Sequence, residues 1–416
     1  MKKRLSEKIK FKIIAFYLII LIAFALFTTP LNEILPGYKK ILFSTDILIS
    51  DYIKIGGLGS AFINSGLLGL IALLFIKINK TKLNGLSIAA IFTISGFSLF
   101  GKNTINVIPI IIGVWFYSIY QKENFNKFII PALFGTALAP MVSQIASIFN
   151  FSITGIIFGT LLGIIIGFII PPIASHVIVA HEGFNLYNIG FTAGIIGTIL
   201  ISVFRAFNFD FQGHLIWSTN FTKPIFIFLC LYFTSMIIIG YILANQNNQS
   251  IKNLKKLWKR PGRAVTDFVI SDGFPLTLIN MGIMGLAYTL LIILIKAPLN
   301  GPVVGGIFTI VGFSAFGKHP FNTGPVVIGV LLGALTKGWT LQNPSFILAL
   351  LFSTTLAPIA GFFGSISGII AGFLHLTVVG NLVYLHGGLN LYNNGFSGGL
   401  VATFLYPLLD GLKKER

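Results

Sequence analysis

Long apolar stretches recur along this chain, and they limit its fold more than any other feature. Most are close to the 20 or so residues that an α-helix needs to cross a bilayer. Several are shortened or interrupted by Gly, Pro or Asn, as in discontinuous or re-entrant helices. We therefore predict an all-α polytopic membrane protein with about 10–14 transmembrane segments. The stretches lie at 11–28, 54–76, 85–100, 104–120, 129–148, 152–172, 185–204, 223–244, 275–296, 302–316, 321–337, 345–361, 363–382 and 389–408.

The composition agrees with a membrane location. Only 10% of the 416 residues are charged and 55% are hydrophobic, whereas soluble domains carry roughly 25% charged residues. The net charge of +18 comes largely from short basic segments between apolar stretches, which the positive-inside tendency explains. These segments lack RNA-reading or interleaved aromatic motifs, so we expect no nucleic-acid partner.

The second half of the sequence repeats the first. FTISGFSLFGKNTIN recurs as FTIVGFSAFGKHPFN, and HEGFNLYNIGFTAG recurs as HGGLNLYNNGFSGG. TDILISD, ending at Asp51, is matched to TDFVISD, ending at Asp272. Matches in the same order indicate an internal duplication. We assign residues 1–208 to the first membrane repeat and 209–416 to the second.

Charge placement predicts how the two halves are oriented. Residues 1–12 carry six basic residues, and 245–263 carry six with no acid, so both segments should be cytoplasmic. One segment precedes the leading helix of its half and the other follows it. The halves should then cross the membrane in opposite directions, as an inverted-topology repeat. Lys413, Lys414 and Arg416 place the C-terminus inside too, and we predict a bacterial cytoplasmic membrane with both termini cytoplasmic.

Polar, Gly-punctuated segments follow an apolar helix in each half and supply the main candidate site. Such segments suit a discontinuous helix, where freed backbone groups and carboxamides bind a polar solute or ion. The alternative is that the Asn side chains only satisfy the backbone at the break. The candidates are Asn185, Tyr187, Asn188, Asn390, Tyr392 and Asn393.

A repeated Phe-Gly-Lys motif supplies a second candidate group, formed by Lys102 and Lys318 with Asn106 and Asn322 four residues later. Residues four apart share a face of a helix. Charges inside a bilayer are costly and are functional candidates, and lysines here would attract an anion. The alternative is that both lysines extend to the membrane surface.

The acidic residues suggest structural roles. Asp46, Asp51, Asp267 and Asp272 lie near the starts of apolar stretches. Asp46 and Asp267 fit N-terminal caps or interfacial partners for the lysines, and capping is the favoured role. Beyond Glu182, no carboxylate lies well inside an apolar stretch, so the sequence offers few carboxylates that could form a proton relay. No phosphate-binding loop and no convincing metal or nucleophile motif occurs. We therefore expect no metal, no cofactor and no enzymatic activity.

The Phe-Gly-Lys and HxGxNLYNxGF segments, with the length and hydropathy, resemble a family of uncharacterised bacterial multi-pass membrane proteins, known only as a domain of unknown function. That resemblance implies no activity. A weaker, architectural likeness is to urea transporters, which also have two inverted halves with a Gly-Phe-Asn type segment. Here the order differs, and their Asn-Pro segment is reduced to Ile63-Asn64-Ser65-Gly66.

Together these features predict a transporter or channel for a small polar solute, neutral or anionic, with a central site between the repeats. The expected partners are this solute and membrane lipid, and a homo-oligomer is compatible with the sequence. One alternative is an intramembrane enzyme acting on a lipid-linked substrate. Another is a non-transporting scaffold or sensor subunit.

Overall fold

The computed structural model describes residues 5–211, 213–264 and 266–414, without the side chains of Lys337 and Lys414. Within these ranges the chain is helical, and its extended pairing is confined to an isolated bridge between Ser50 and Ile216. The all-α prediction is therefore confirmed. Lys2, Lys3, Arg4 and Arg416, which entered the predicted orientation, lie outside the described residues.

The first half contains ten α-helices among its described residues. They are α1 (Glu7–Thr28), α2 (Leu31–Leu42), α3 (Tyr52–Gly56), α4 (Leu58–Ile78), α5 (Gly85–Phe97), α6 (Thr104–Tyr120), α7 (Ile129–Gly135), α8 (Ala139–Ile148), α9 (Ile153–Ala180) and α10 (Asn188–Ala206). Short 3-10 turns occupy Phe125–Lys127 and Thr136–Leu138.

The second half also contains ten among its described residues. They are α11 (Thr222–Gln246), α12 (Leu254–Leu257), α13 (Phe268–Ser271), α14 (Phe274–Leu294), α15 (Gly301–Phe313), α16 (Pro320–Lys337), α17 (Pro344–Phe352), α18 (Ala357–Phe363), α19 (Ser365–Leu382) and α20 (Asn393–Lys414). Its 3-10 turns are Ile251–Asn253, Ser353–Leu356 and Val383–His386.

Nine helical segments in the described part of the chain are long and apolar enough to cross a membrane. Four shorter apolar helices lie beside them: Gly85–Phe97, Thr104–Tyr120, Gly301–Phe313 and Pro320–Thr336. The chain is thus a polytopic helical protein of the multi-pass membrane type. Each apolar stretch found in the sequence corresponds to a helix or to a broken pair of helices.

The short helices α5 and α15 lie at the centre and pack against each other. A Cβ built on Gly96 would lie 2.7 Å from the carbonyl oxygen of Gly305, and the rings of Phe92 and Phe308 are 6.2 Å apart. Each helix has 13 residues, or about 20 Å, which is shorter than the hydrocarbon core of about 30 Å. Neither α5 nor α15 crosses the bilayer alone.

Each short helix receives a cap from a loop of the other half. The amide of Gly85, which begins α5, donates to Asp267 at 2.8 Å, and the amide of Gly301, which begins α15, donates to Asp51 at 3.2 Å. A carboxylate at a helix N-terminus accepts hydrogen bonds from amides that have no partner within the helix, and it interacts favourably with the positive end of the helix dipole. Asp51 and Asp267 also cap α3 and α13.

These contacts correct the pairing of the two TDxxxSD motifs. The predicted pairing matched Asp51 with Asp272, and Asp46 with Asp267. In the structure Asp51 and Asp267 make the equivalent contacts instead, whereas Asp272 forms an ion pair with Arg260 at 2.7 Å. The two motifs have similar sequences, but the residue equivalent to Asp267 is Asp51, five positions after the residue that the sequence match indicates.

Two long segments break into 3-10 turns midway, one between α7 and α8 and one between α17 and α18. Because the α-helical hydrogen bonds stop at these turns, backbone carbonyls become free. The carbonyl of Ala137 accepts from the amide of Leu391 at 3.0 Å, and that of Thr355 accepts from Leu186 at 3.1 Å. The polar segments before α10 and α20 are therefore fixed at the level of the helix breaks.

Candidate functional site

The loops that follow α5 and α15 carry Lys102 and Lys318, and one Asn holds each loop. The Asn64 amide donates to the carbonyls of Ser98 and Lys102 at 2.6 and 2.7 Å. Asn280 donates to the carbonyls of Ser314 and Lys318 at 2.8 and 2.9 Å. These bonds occupy carbonyls that a helix end leaves free. The two lysines therefore sit on fixed backbone.

Lys102 is fully buried, and its ammonium group meets hydroxyls and aromatic faces. Its Nζ atom donates to Thr136 Oγ1 at 2.8 Å and to Tyr392 Oη at 2.6 Å. The same atom lies 4.5 Å from the ring centroid of Tyr392 and 5.3 Å from that of Phe97. Thr136 belongs to the break in its own half and Tyr392 to the other half.

Lys318 makes the same set of contacts with the partners exchanged. It is fully buried, donates to Thr354 Oγ1 at 2.8 Å and also donates to Tyr187 Oη. Its Nζ atom lies 4.4 Å from the ring centroid of Tyr187 and 5.3 Å from that of Phe313. Each lysine therefore connects the broken helix of one half to the polar segment of the other.

Neither lysine has a carboxylate partner within the described residues. Hydroxyl oxygens and aromatic faces compensate part of the cost of burying a cation. A full countercharge is missing. In their protonated form the two lysines present positive potential in a water-poor centre, and a bound anion would favour that form.

Asn106 and Asn322 shape the loops beside the lysines. Asn106 accepts from the amide of Asn103 at 2.9 Å and donates to the carbonyl of Gly101 at 3.1 Å. Asn322 accepts from His319 at 2.9 Å and donates to Gly317 at 2.8 Å. Both are buried, and both act on backbone groups.

The polar segments before α10 and α20 use their Asn side chains in two ways. Asn185 and Asn390 accept from the amides of Tyr187 and Tyr392 at 3.2 and 2.9 Å, which turns the chain there. Asn188 Oδ1 accepts a hydrogen bond from the ring Nε2 of His181 at 3.0 Å.

Asn188 also donates to the carbonyl of Ala174 at 3.1 Å. Asn393 contacts His386 and Val379 at 2.8 and 3.3 Å in the same manner. The carboxamides of Asn185, Asn188 and Asn393 are thus engaged with the protein itself, whereas the buried Nδ2 atom of Asn390 has no partner among the described residues. The tyrosine hydroxyls are the groups that reach the lysines.

A cavity of about 490 Å³ lies against this centre. Its walls include Phe97, Phe313, Phe352 and the two tyrosines, Tyr187 and Tyr392. Of the other sequence candidates, Asn185 and Asn188 also line it. Lys102 and Lys318 do not line the cavity themselves. Their Nζ atoms lie 4.5 and 4.4 Å from the ring centroids of Tyr392 and Tyr187, which do.

The cavity wall also contains Thr93 of α5 and Thr309 of α15. Thr309 donates to the carbonyl of Gly305 at 2.8 Å. The buried hydroxyl of Thr93 has no partner among the described residues, although buried polar atoms are normally hydrogen-bonded. It is a free donor for a bound solute.

The cavity reaches the exposed residue Lys127 at one end. There the first half leaves Phe128, Ile130 and Pro131 partly exposed. Counted from the helix break, the corresponding residues of the second half include Phe346 and Leu348, which are 0% and 6% exposed. The central site is therefore more accessible from the end that carries Lys127.

Asp46 forms a buried polar cluster that the sequence interpretation missed. Its carboxylate accepts from Tyr52 Oη at 2.5 Å, Ser143 Oγ at 2.6 Å and Asn106 Nδ2 at 2.8 Å. It also accepts from Asn103 Nδ2 at 3.0 Å and from the Ser44 hydroxyl. Asp46 is therefore not a helix cap, contrary to the favoured prediction.

No basic side chain forms an ion pair with Asp46 in the part of the chain that the structure describes. Asp46 lies in the loop between α2 and α3, outside the membrane-spanning segments. Burial raises the pKa of its carboxyl to about 7, although hydrogen bonds from Ser143, Ser44, Tyr52 and Asn106 act in the opposite direction. The sequence offered little signal for this cluster, because three of its five hydrogen-bond partners, Asn103, Asn106 and Ser143, lie far from Asp46 along the chain.

Comparison with known proteins supplies a family but no activity. No curated protein and no solved structure matches the chain. A family model matches residues 31–206 and 246–411, which together make up most of the sequence. This protein belongs to the family described as "Protein of unknown function (DUF1576)".

Proposed function

We propose that this protein transports a small anion across the membrane, through a site formed where its two halves meet. The observation that carries the proposal is the pair of fully buried lysines, Lys102 and Lys318, which have hydroxyl partners and no carboxylate among the described residues. An anion supplies the countercharge that the protein itself does not provide.

Energetics favours an anion over a neutral solute. A buried ion without an opposite charge costs several kcal/mol or more. Thr136 and Thr354 lower this cost but remain neutral. A bound anion recovers Coulomb energy in a medium of low dielectric constant, which a neutral solute cannot do.

The aromatic lining suits a partly dehydrated anion. The edges of aromatic rings are electropositive, and Phe97, Phe313 and Phe352 line the cavity beside the tyrosines. The tyrosine hydroxyls and the free Thr93 hydroxyl replace part of the hydration shell. A cavity of about 490 Å³ has room for an anion of a few heavy atoms with some water.

Movement of the solute requires access from both sides. The inverted arrangement that the basic segments 1–12 and 245–263 predict would let one half rock against the other around a fixed centre. The more open end beside Lys127 then corresponds to one state of this cycle. In this proposal the solute crosses chemically unchanged, and lipid surrounds the protein.

Flux measurements with the purified full-length protein in liposomes test the proposal. The panel contains chloride, nitrate, formate, acetate and phosphate, with urea and glycerol as neutral solutes. We expect flux of at least one small anion above that of empty liposomes and of the neutral solutes. Flux of the neutral solutes alone, or of none, would exclude an anion transporter.

Matched lysine variants separate the central charge from general surface charge. Lys102→Met and Lys318→Met keep most of the unbranched side chain but remove the charge, and each should lower anion flux. Lys122→Met removes an exposed lysine in the loop after α6 and should leave flux unchanged. Equal flux in all three variants would disprove the site assignment.

A further inference from the structure

The buried carboxylate of Asp46 has no counterpart in the second half. Counting from the equivalent residues Asp51 and Asp267, the position of Asp46 corresponds to Gly262. Counting from Pro140 and Pro358, the position of Ser143 corresponds to Gly361. Asp46 and one of its hydrogen-bond partners, Ser143, thus both correspond to glycine in the other half.

Backbone occupies the corresponding space in the second half. A Cβ built on Gly262 would lie 2.0 Å from the carbonyl oxygen of Gly317, and one built on Gly361 would lie 2.1 Å from that of Pro261. No side chain fits at either position. The acidic cluster is therefore a feature of one half alone, whereas the lysine contacts occur in both.

The partners of Asp46 fit a proton better than a metal cation. Asn103 and Asn106 present NH₂ groups to the carboxylate, and their carboxamide oxygens are occupied by backbone amides. A cation would therefore face two fixed donors. Ser44, Tyr52 and Ser143 contribute hydroxyls, which can change from donor to acceptor. A protonated carboxyl can then donate to one of them without any movement of the backbone.

The cluster is connected to the lysine site through Asn106. The Nδ2 atom of Asn106 contacts Asp46 at 2.8 Å and the carbonyl of Gly101 at 3.1 Å. Gly101 precedes Lys102, and a Cβ at Gly101 would meet Leu391 at 2.6 Å and the carbonyl of Asp46 at 3.4 Å. Leu391 lines the cavity. Only one residue therefore separates the backbone of Asp46 from the cavity wall.

We propose that Asp46 is a proton-binding site coupled to the anion site, so that a proton and an anion are transported together. This inference rests on the proposed function. An ionised Asp46 repels an anion near Lys102, and a protonated Asp46 does not. By linkage, a bound anion must favour proton binding at Asp46 to the same extent.

The other ionisable groups near Asp46 are engaged elsewhere or exposed. Tyr52 is the one that bonds to it directly. The Lys102 ammonium group points to Thr136 and Tyr392, and Asp51 accepts from backbone amides. The remaining ionisable groups on the segments packed around Asp46 are Tyr38, Lys39, Lys40, Lys54, Asp210, His214 and His386.

Two assays on the same proteoliposomes test this coupling. The first measures exchange of a labelled anion at equal pH, and the second measures accumulation driven by an external pH one unit more acidic, with no initial anion gradient. We expect the wild type to perform both, with accumulation approaching tenfold. Asp46→Asn should retain exchange and lose accumulation, and Asp210→Asn, at an exposed carboxylate, should retain both.

The outcomes separate the two proposals. Wild-type exchange without accumulation, or accumulation by Asp46→Asn, would overturn the proton site and leave the anion transporter intact. Absence of both activities in the wild type would overturn both.

Should Asp46→Asn fail to fold, Tyr52→Phe and Ser143→Ala replace it. Each removes a donor to the ionised form, so the pH midpoint of exchange should rise. An unchanged midpoint in both variants would overturn the proton site.

Discussion

The surroundings of Lys102 and Lys318 are nearly the same, whereas the regions behind Asn106 and Asn322 differ. Behind Asn106 lies a buried carboxylate with four further donors, and behind Asn322 lies closely packed backbone at Gly262. The two halves therefore share the groups nearest to the proposed solute. They differ in the residues behind Asn106 and Asn322, and we propose that Asp46, which lies behind Asn106, binds the coupled proton.

The largest effect should come from filling the closely packed region of the second half. Gly262→Ala introduces a Cβ where φ is +75° and the nearest backbone oxygen is 2.0 Å away. We expect destabilisation of about 3 kcal/mol or more, seen as loss of the monodisperse peak in size-exclusion chromatography. The matched change Asp46→Gly in the first half should leave a folded protein. Normal behaviour of Gly262→Ala would contradict the proposed difference in packing.

The next effect tests whether the two lysine sites are equivalent. Removing a buried, hydrogen-bonded charge costs about 1.5–3 kcal/mol, so Lys102→Met and Lys318→Met should each reduce anion flux by about 10- to 100-fold. The two reductions should agree within about threefold. A loss confined to one variant would show that one lysine serves the solute and the other serves the structure.

A smaller effect is expected from the tyrosine hydroxyls. Tyr187→Phe and Tyr392→Phe keep the rings that lie over the lysines and remove one hydrogen bond each, worth about 1 kcal/mol. Anion flux should fall about fivefold in each variant, with proton coupling retained. Full flux in both variants would remove the tyrosines from the proposed path.

The smallest change in rate, with a clear change in pH dependence, is expected for Ser143→Ala. The loss of one donor at 2.6 Å from Asp46 destabilises the ionised carboxyl, so its pKa should rise by about one unit. The pH midpoint of anion exchange should move up by the same amount, and the maximal rate should stay within about twofold. A shift to lower pH would contradict a proton site at Asp46.

The sequence predicted the helical membrane architecture well because long apolar stretches and basic loops depend on local composition. It also located Lys102 and Lys318, since a repeated lysine within apolar sequence is conspicuous. The hydrogen-bond partners of these lysines could not be predicted from the sequence. Thr136 and Tyr392 come from distant segments, and the fold alone brings them together. The inverted orientation of the halves and the architectural likeness to urea transporters stay predictions.

The Asp46 cluster escaped prediction for a related reason. Asp46 lies near the start of an apolar stretch in the loop at residues 43–51, which favoured a capping role. Burial of this loop depends on its contacts with residues far away in sequence, such as His214 and Gly388. Sequence similarity also misaligned the two TDxxxSD motifs. It pairs Asp46 with Asp267, whereas Asp51 and Asp267 make the equivalent backbone contacts.

The exchanged caps on the short central helices have a consequence for biosynthesis. Asp267, which accepts from the first amide of α5, follows Gly85 by 182 residues. A ribosome releases α5 well before that carboxylate exists. α5 must therefore wait in the membrane with an incomplete end until the second half arrives. The hydrogen bonding at the start of α5 is thus completed only after the second half has been synthesised.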